Sequence, residues 1–270
     1  MTGWELHDDS TVIGFAGDWH GNPAGVGEKT RRLSQAGVTR LMHVGDFALW
    51  PDRAGRRFLD QVNGYAEESG ILIVVTPGNH EDWHYITAAF AAAFTAAFAA
   101  AEGAPAMIRS QIVALPGGHR WTHRGRSFVS FGGAVSIDLK FRRLGRSWWM
   151  EELPTVEEGA ALAAGGHAEI MVSHVSAAPG TTLVNRIRTT PNGWSTDALA
   201  YADVRARRIT AAWDAVAPDV LVHGHFHVQD TVTVPSGQRI VSLAAEENPG
   251  NVLLLNLDTM ATNWLEGLDD

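Results

Sequence analysis

The chain has 270 residues, 45% of them apolar, with 21 Lys and Arg against 30 Asp and Glu, a formal charge of −9 and no cysteine. That length allows one large layered domain, and no linker of biased composition divides it, so residues 1–270 are read as a single domain. Without cysteine neither a disulfide framework nor a thiolate metal site is possible, and the net negative charge disfavours stable binding to duplex nucleic acid.

The opening MTGWELHDDS carries acids where a secretory signal carries a basic patch and then an apolar run, so a cytoplasmic location is expected. Residues 11–16 (TVIGFA) read as a buried strand that runs into a polar turn at 17–22, and residues 28–36 have helical spacing. The pattern repeats. Residues 40–44 (RLMHV) are strand-like and stop at Gly45, residues 56–69 are helical, and the β-branched run 71–76 (ILIVVT) is closed by Pro77 and Gly78. Residues 86–101 are mostly alanine and fall short of the roughly 20 apolar residues that cross a bilayer, so they predict a packed helix with Phe90, Phe94 and Phe98 in one stripe. Further strands are expected at 111–115, 127–131, 169–173, 219–222, 231–234, 239–243 and 251–256, with a hairpin turn at Pro235-Ser236-Gly237. The order implies an α/β fold of two mixed β-sheets packed face to face with flanking helices.

Five short segments hold most of the chemically interesting side chains: Asp18-Trp19-His20, Gly45-Asp46, Gly78-Asn79-His80-Glu81, Ser173-His174 and His223-Gly224-His225-Phe226-His227. Each follows an apolar strand, where open α/β sheets place ligand sites. An isolated Asp beside Gly is usually a turn former, and a lone His is usually hydrogen-bonded packing. Five such segments in the same local context are a different matter. Carboxylate, amide oxygen and neutral imidazole together suit hard to borderline divalent cations.

These blocks resemble the calcineurin-like metallophosphoesterase superfamily, whose pattern is D-x-H, G-D, G-N-H-[DE], a single His and G-H-x-H; the match runs from Asp18 to His227. The resemblance implies a four-layer α/β/β/α fold and a centre of two divalent metal ions, with Mn²⁺ expected and Fe, Zn, Ni or Mg as alternatives. It places Asp18, His20 and His227 on one ion, Asn79, His174 and His225 on the other, and Asp46 between them. It also implies attack on phosphorus by a hydroxide held between the ions, with His80 protonating the leaving oxygen. One departure is visible. Many members read G-D-x-x-D, whereas Asp46 here is followed by Phe47, Ala48 and Leu49, which is expected to alter a supporting contact and leave the ligands intact.

Around these blocks, His43 and His223 read as buried packing groups, and Glu81 and Asp82 either orient His80 or form a surface turn. The basic segment 138–146 offers Arg142 and Arg143 as phosphate contacts, against the plainer reading of a solvated loop. Trp19, Trp50, Trp83, Trp148 and Trp149 lie near the blocks; packing is their plain reading, and Trp83 is the candidate for contact with an aromatic substrate. The expected function is hydrolysis of a small phosphoester or nucleotide-like substrate, by a phosphodiesterase rather than a Ser/Thr-type protein phosphatase. A non-catalytic scaffold is disfavoured because all seven ligand positions keep coordinating side chains.

Overall fold

The computed structural model describes residues 10–96, 104–136, 138–190 and 196–265. Its first half alternates strand and helix: β1 (Val12–Ala16), α1 (Val26–Gln35), β2 (Arg40–His43), α2 (Arg53–Ser69), β3 (Leu72–Val75) and α3 (Trp83–Ala96). Four strands follow, β4 (Ala106–Arg109), β5 (Ile112–Ala114), β6 (Arg120–His123) and β7 (Arg126–Phe131). After α4 (Val156–Ala164) come β8 (Ile170–Ser173), α5 (Thr182–Thr189), α6 (Thr196–Val216), β9 (Val220–His223), β10 (Asp230–Thr233), β11 (Arg239–Ser242), β12 (Val252–Asn256) and β13 (Thr262–Trp264).

The strands form a seven-stranded sheet ordered β13-β12-β1-β2-β3-β5-β4 and a six-stranded sheet ordered β10-β11-β9-β8-β7-β6. Both are mixed. In the first, β1, β2, β3 and β5 run parallel; in the second, β7, β8, β9 and β11 do. Alternation along each parallel strand explains why these runs are apolar throughout. Ile13 and Phe15 of β1 and Val74 of β3 face Phe128, Ile170 and Val222 across the space between the sheets. The opposite faces pack outward: Leu41 and Ile73 meet α1 and α2 through Leu33, Phe58 and Leu59, while Met171 and Leu221 meet α4 and α6 through Leu162, Ile209 and Trp213. The result is helices, sheet, sheet, helices.

Asp52 caps α2 by accepting from the Gly55 N–H at 2.7 Å, which starts that helix three residues earlier than its apolar spacing implies. Three helices and three strands went unread in the sequence: α4, α5, α6, β4, β6 and β13. Of the alanine-rich stretch, α3 forms as expected and Phe90 packs on the core; Phe98 lies outside the described residues. No helix among the described residues is long and apolar enough to cross a membrane.

Candidate metal centre

All five motif segments follow the carboxyl ends of parallel strands: β1, β2 and β3 in one sheet, β8 and β9 in the other. Backbone hydrogen bonds stitch them together. The Asp18 N–H donates to the Gly45 carbonyl at 3.0 Å, the His20 N–H to the Asp46 carbonyl at 2.8 Å, and the Gly224 N–H to the His174 carbonyl at 3.1 Å. Two glycines permit the side chains to converge. A Cβ on Gly78 would stand 2.2 Å from Asp46 Oδ1, and one on Gly224 would stand 2.1 Å from Asp18 Oδ2. Strain marks the same loops: Asp18, His20, Asp46, His225 and His227 are five of the nine described non-glycine residues with positive φ. L-residues avoid that region unless the surroundings over-determine it, which is common at functional sites.

Three overlapping groups of potential ligand atoms result among the described residues, one of them His20, Asp46 and His80, and the other two correspond to the motif-based assignment. In one, Asp18, His20 and His227 lie together, with His227 Nε2 3.4 Å from Asp18 Oδ1 and 3.1 Å from His20 Nε2. In the other, Asp46, His174 and His225 converge, and Asn79 joins them. Asp46 Oδ2 stands between the groups, 3.3 Å from His174 Nε2 and 3.9 Å from His20 Nδ1. The orientation of His174 is informative. Its Nδ1 donates to the Val44 carbonyl at 2.8 Å, so a neutral ring would turn the Nε2 lone pair toward Asn79 Oδ1, 3.0 Å away, and toward Asp46 Oδ2. Asn79 is oriented in turn, because its amide nitrogen donates to Ser136 Oγ at 3.2 Å. Lone pairs facing one another in a buried place need a positive charge between them.

Electrostatics make the same demand. Burial opposes charging His174, yet Asp46 and then Asp18 overcome it and hold the imidazole up to about 9. Burial and the neighbouring His174 push His225 well below its ordinary range. His227 is raised by its hydrogen bond to Asp18. The cluster draws a proton where a cation is not supplied, and its oxygen and imidazole donors fit divalent ions of the manganese-to-zinc kind.

The surroundings correct several expectations. Glu81 neither orients His80 nor lies on a surface turn: it is fully buried and accepts the N–H groups of Phe47, Ala48 and Leu49 at 2.8, 3.0 and 2.8 Å. Leu49, at the position of the absent second acid, is buried in the core, and Glu81 holds its backbone. Asp82 caps α3 by accepting from the Tyr85 N–H. Trp83 donates to the Gly78 carbonyl at 2.9 Å and Trp50 to the His80 carbonyl at 2.6 Å, so both indoles brace the Gly78–His80 turn, and Trp83 lines neither cavity at the site. Trp19 is in the core.

The basic segment divides. Arg143 is exposed and lines neither cavity. Arg142 is tied down by Asp138, which accepts from its Nε at 2.7 Å, and its Nη2 donates to His80 Nε2 at 2.5 Å. Burial, then the Arg142 charge, lower the proton affinity of His80 against the pull of Asp46. His80 is therefore a neutral acceptor in this state. Sequence reasoning missed two supports. Asn251, buried, donates to the Gly17 carbonyl and accepts from Trp19 and Lys29, fixing the first loop. Glu152 accepts from the Ser136 N–H at 3.1 Å and so steadies Asn79 through Ser136. Neither carries a motif: Glu152 stands beside Glu151 and Asn251 follows Gly250 in a polar loop, so nothing in the sequence sets them apart.

Residues 11–229 match the family of calcineurin-like phosphoesterases. The chain belongs to that family. It is a phosphoric ester hydrolase of a metal-dependent kind, as the match and the clustered ligand groups require. No curated protein sequence matches it. Among solved structures it is similar to a dimetal phosphatase of Danio rerio, at 12% identity over 93% of each chain with a TM-score of 0.55. It is also similar to the protein TT1561 of Thermus thermophilus, at 12% identity over 93% of this chain and 96% of that one, again with a TM-score of 0.55. At such identities these likenesses concern the fold.

Proposed function

We propose that this calcineurin-like phosphoesterase is a phosphodiesterase acting on small or nucleotide-like substrates with two divalent cations, Mn²⁺ foremost. Asp18, His20 and His227 would hold one ion and Asn79, His174 and His225 the other, with Asp46 shared. Bound there, the pair supplies Lewis acidity toward the phosphoryl oxygens and acidifies the attacking water. The protein's own groups do the rest.

The observation that carries the diester reading is that two separate cavities meet at His80 and Arg142. One is a pocket of about 370 Å³ and the other a groove of about 660 Å³ whose lining includes Trp50, Phe141 and Trp149. A monoester has one organic arm to place, a diester two. The groove suits an aromatic arm such as a nucleobase.

Arg142 has two partners to choose between. A phosphoryl oxygen, being anionic, is the stronger acceptor for its Nη2 than neutral His80. Substrate binding therefore draws the guanidinium off His80 Nε2 and puts a negative charge in its place. Both changes raise the proton affinity of His80, which takes a proton from solvent and delivers it to the departing alkoxide. Asp46, whose Oδ1 accepts the His80 main-chain N–H at 2.8 Å, anchors the backbone that carries the ring.

The test is turnover of bis(p-nitrophenyl) phosphate, p-nitrophenyl phosphate and a phosphoserine peptide by the Mn²⁺-loaded protein. The proposal expects the diester to have the highest kcat/KM. Preference for the peptide would favour the protein phosphatase, and preference for the monoester would remove the second arm from the account.

A further inference from the structure

Resting on the phosphodiesterase reading, one feature of the site narrows the substrate class. The smaller cavity extends from Asn79, His80 and His225 to residues of α5 and α6. Much of its wall is apolar, formed by Val135, Leu153, Val175, Ile187, Ile209 and Phe226, the last with its ring centroid 5.1 Å from that of His225. Two arginines also line it, yet their guanidinium groups donate to main-chain carbonyls: Arg188 to Ser176 at 2.7 Å and Ala177 at 3.2 Å, and Arg208 to Pro154. Arg188 further lies over the Phe226 ring, 5.1 Å from its centroid. Apart from these two guanidinium groups, the charged and amide lining residues belong to the motif segments or, as Asp138 and Arg142, lie beside His80.

A sugar or nucleoside arm would bring hydroxyl and amide groups into that wall and leave them short of partners, which costs more than the contact returns. An alkyl or simple aryl arm carries no such penalty, and a cavity of about 370 Å³ is within the range that encloses a small ligand. We propose that this cavity holds an apolar alcohol group of the phosphodiester, alkyl or monocyclic aryl, while the phosphate lies at the cluster around Asp46. The cavity is continuous with that cluster, so its occupant is part of the substrate and not a separate effector.

The experiment compares methyl, butyl and hexyl p-nitrophenyl phosphates, with a glycol ether ester of hexyl length as the polar control, on the Mn²⁺-loaded protein. In parallel, calorimetry measures the Kd of methylphosphonate and hexylphosphonate. Burial of the chain should raise kcat/KM by roughly threefold per methylene, on the order of 10²-fold from methyl to hexyl, with no comparable gain for the glycol ether. Hexylphosphonate should bind tighter than methylphosphonate by a similar factor. The variant Ala206→Asp, which places a carboxylate in the cavity wall, should bring the hexyl-to-methyl ratio close to unity. Equal kcat/KM for methyl and hexyl esters, or a gain for the glycol ether equal to that for hexyl, overturns the inference and leaves the phosphodiesterase reading in place. No turnover of any ester, with hexylphosphonate still bound preferentially, supports the apolar cavity and overturns the diesterase reading. No turnover and indifferent phosphonate binding overturns both.

Discussion

Replacing Glu81 by Ala tests how the metal loop is held. The Glu81 carboxylate is fully buried, with Oε1 accepting from Phe47 and Oε2 from Ala48 and Leu49. These N–H groups belong to the turn that carries Asp46, in which Ala48 has φ 92° and forms no strand ladder. Removing the side chain strands three buried donors, at about 1–3 kcal/mol each, so roughly 4–5 kcal/mol is expected even near the lower end with a small cavity added. Against a net stability of about 5–15 kcal/mol, that brings the fold to its margin. Glu81→Gln can keep its oxygen with Ala48 and Leu49 but turns an amide nitrogen toward the Phe47 N–H, for about 1–3 kcal/mol. Urea unfolding followed by tryptophan fluorescence, with m compared between variants, measures both losses. Bound metal should fall with them, because Asp46 loses its support. A loss below about 1 kcal/mol for Glu81→Ala would refute the reasoning, since it would mean that the turn needs no such acceptor.

Three further outcomes are expected. Gly224→Ala puts a Cβ 2.1 Å from Asp18 Oδ2 and must displace that carboxylate, so the variant should bind less metal while its circular dichroism stays native; unchanged metal content would count against the packing described. His80→Ala should lose about 10²–10⁴ in kcat on an alkyl diester and far less on a nitrophenyl ester, whose leaving group needs little protonation; equal losses on both would remove the proton-donor role. Burial pushes the Glu152 carboxyl up to about 7 from 4.5, so the folded state binds more protons between those values. Stability should therefore fall as pH rises from 4.5 through 7, by up to about 3 kcal/mol, and Glu152→Gln should flatten that slope in thermal melts.

The fold was legible where one physical signal dominated. Runs such as TVIGFA and ILIVVT are buried on both faces and read directly as central parallel strands, and the sites lie at their ends for reasons of chain topology. α6 went unread although Ile209, Ala212, Trp213 and Val216 have helical spacing, because alanine and arginine dilute the contrast along that stretch. α4 announces itself by the Thr155–Glu158 capping box, a signal that the sequence carries. For the site, residue types and order pointed to which side chains meet. They did not reveal Glu81 as a clamp, since the partner of a buried carboxylate is set by tertiary packing, nor the pairing of Arg142 with His80 across 62 positions of chain. The contrast between Arg142 and Arg143 is of the same kind: neighbours in sequence, they differ in direction, and only the loop's geometry separates them.

The most direct test of a two-metal phosphodiesterase is a titration of chelator-stripped protein with Mn²⁺, recording bound metal and bis(p-nitrophenyl) phosphate turnover on the same samples. The proposed arrangement has two ion positions sharing Asp46, so turnover should be absent without metal and should reach its plateau at two equivalents per chain. Turnover by the stripped protein, or a plateau at a single equivalent, would contradict the account.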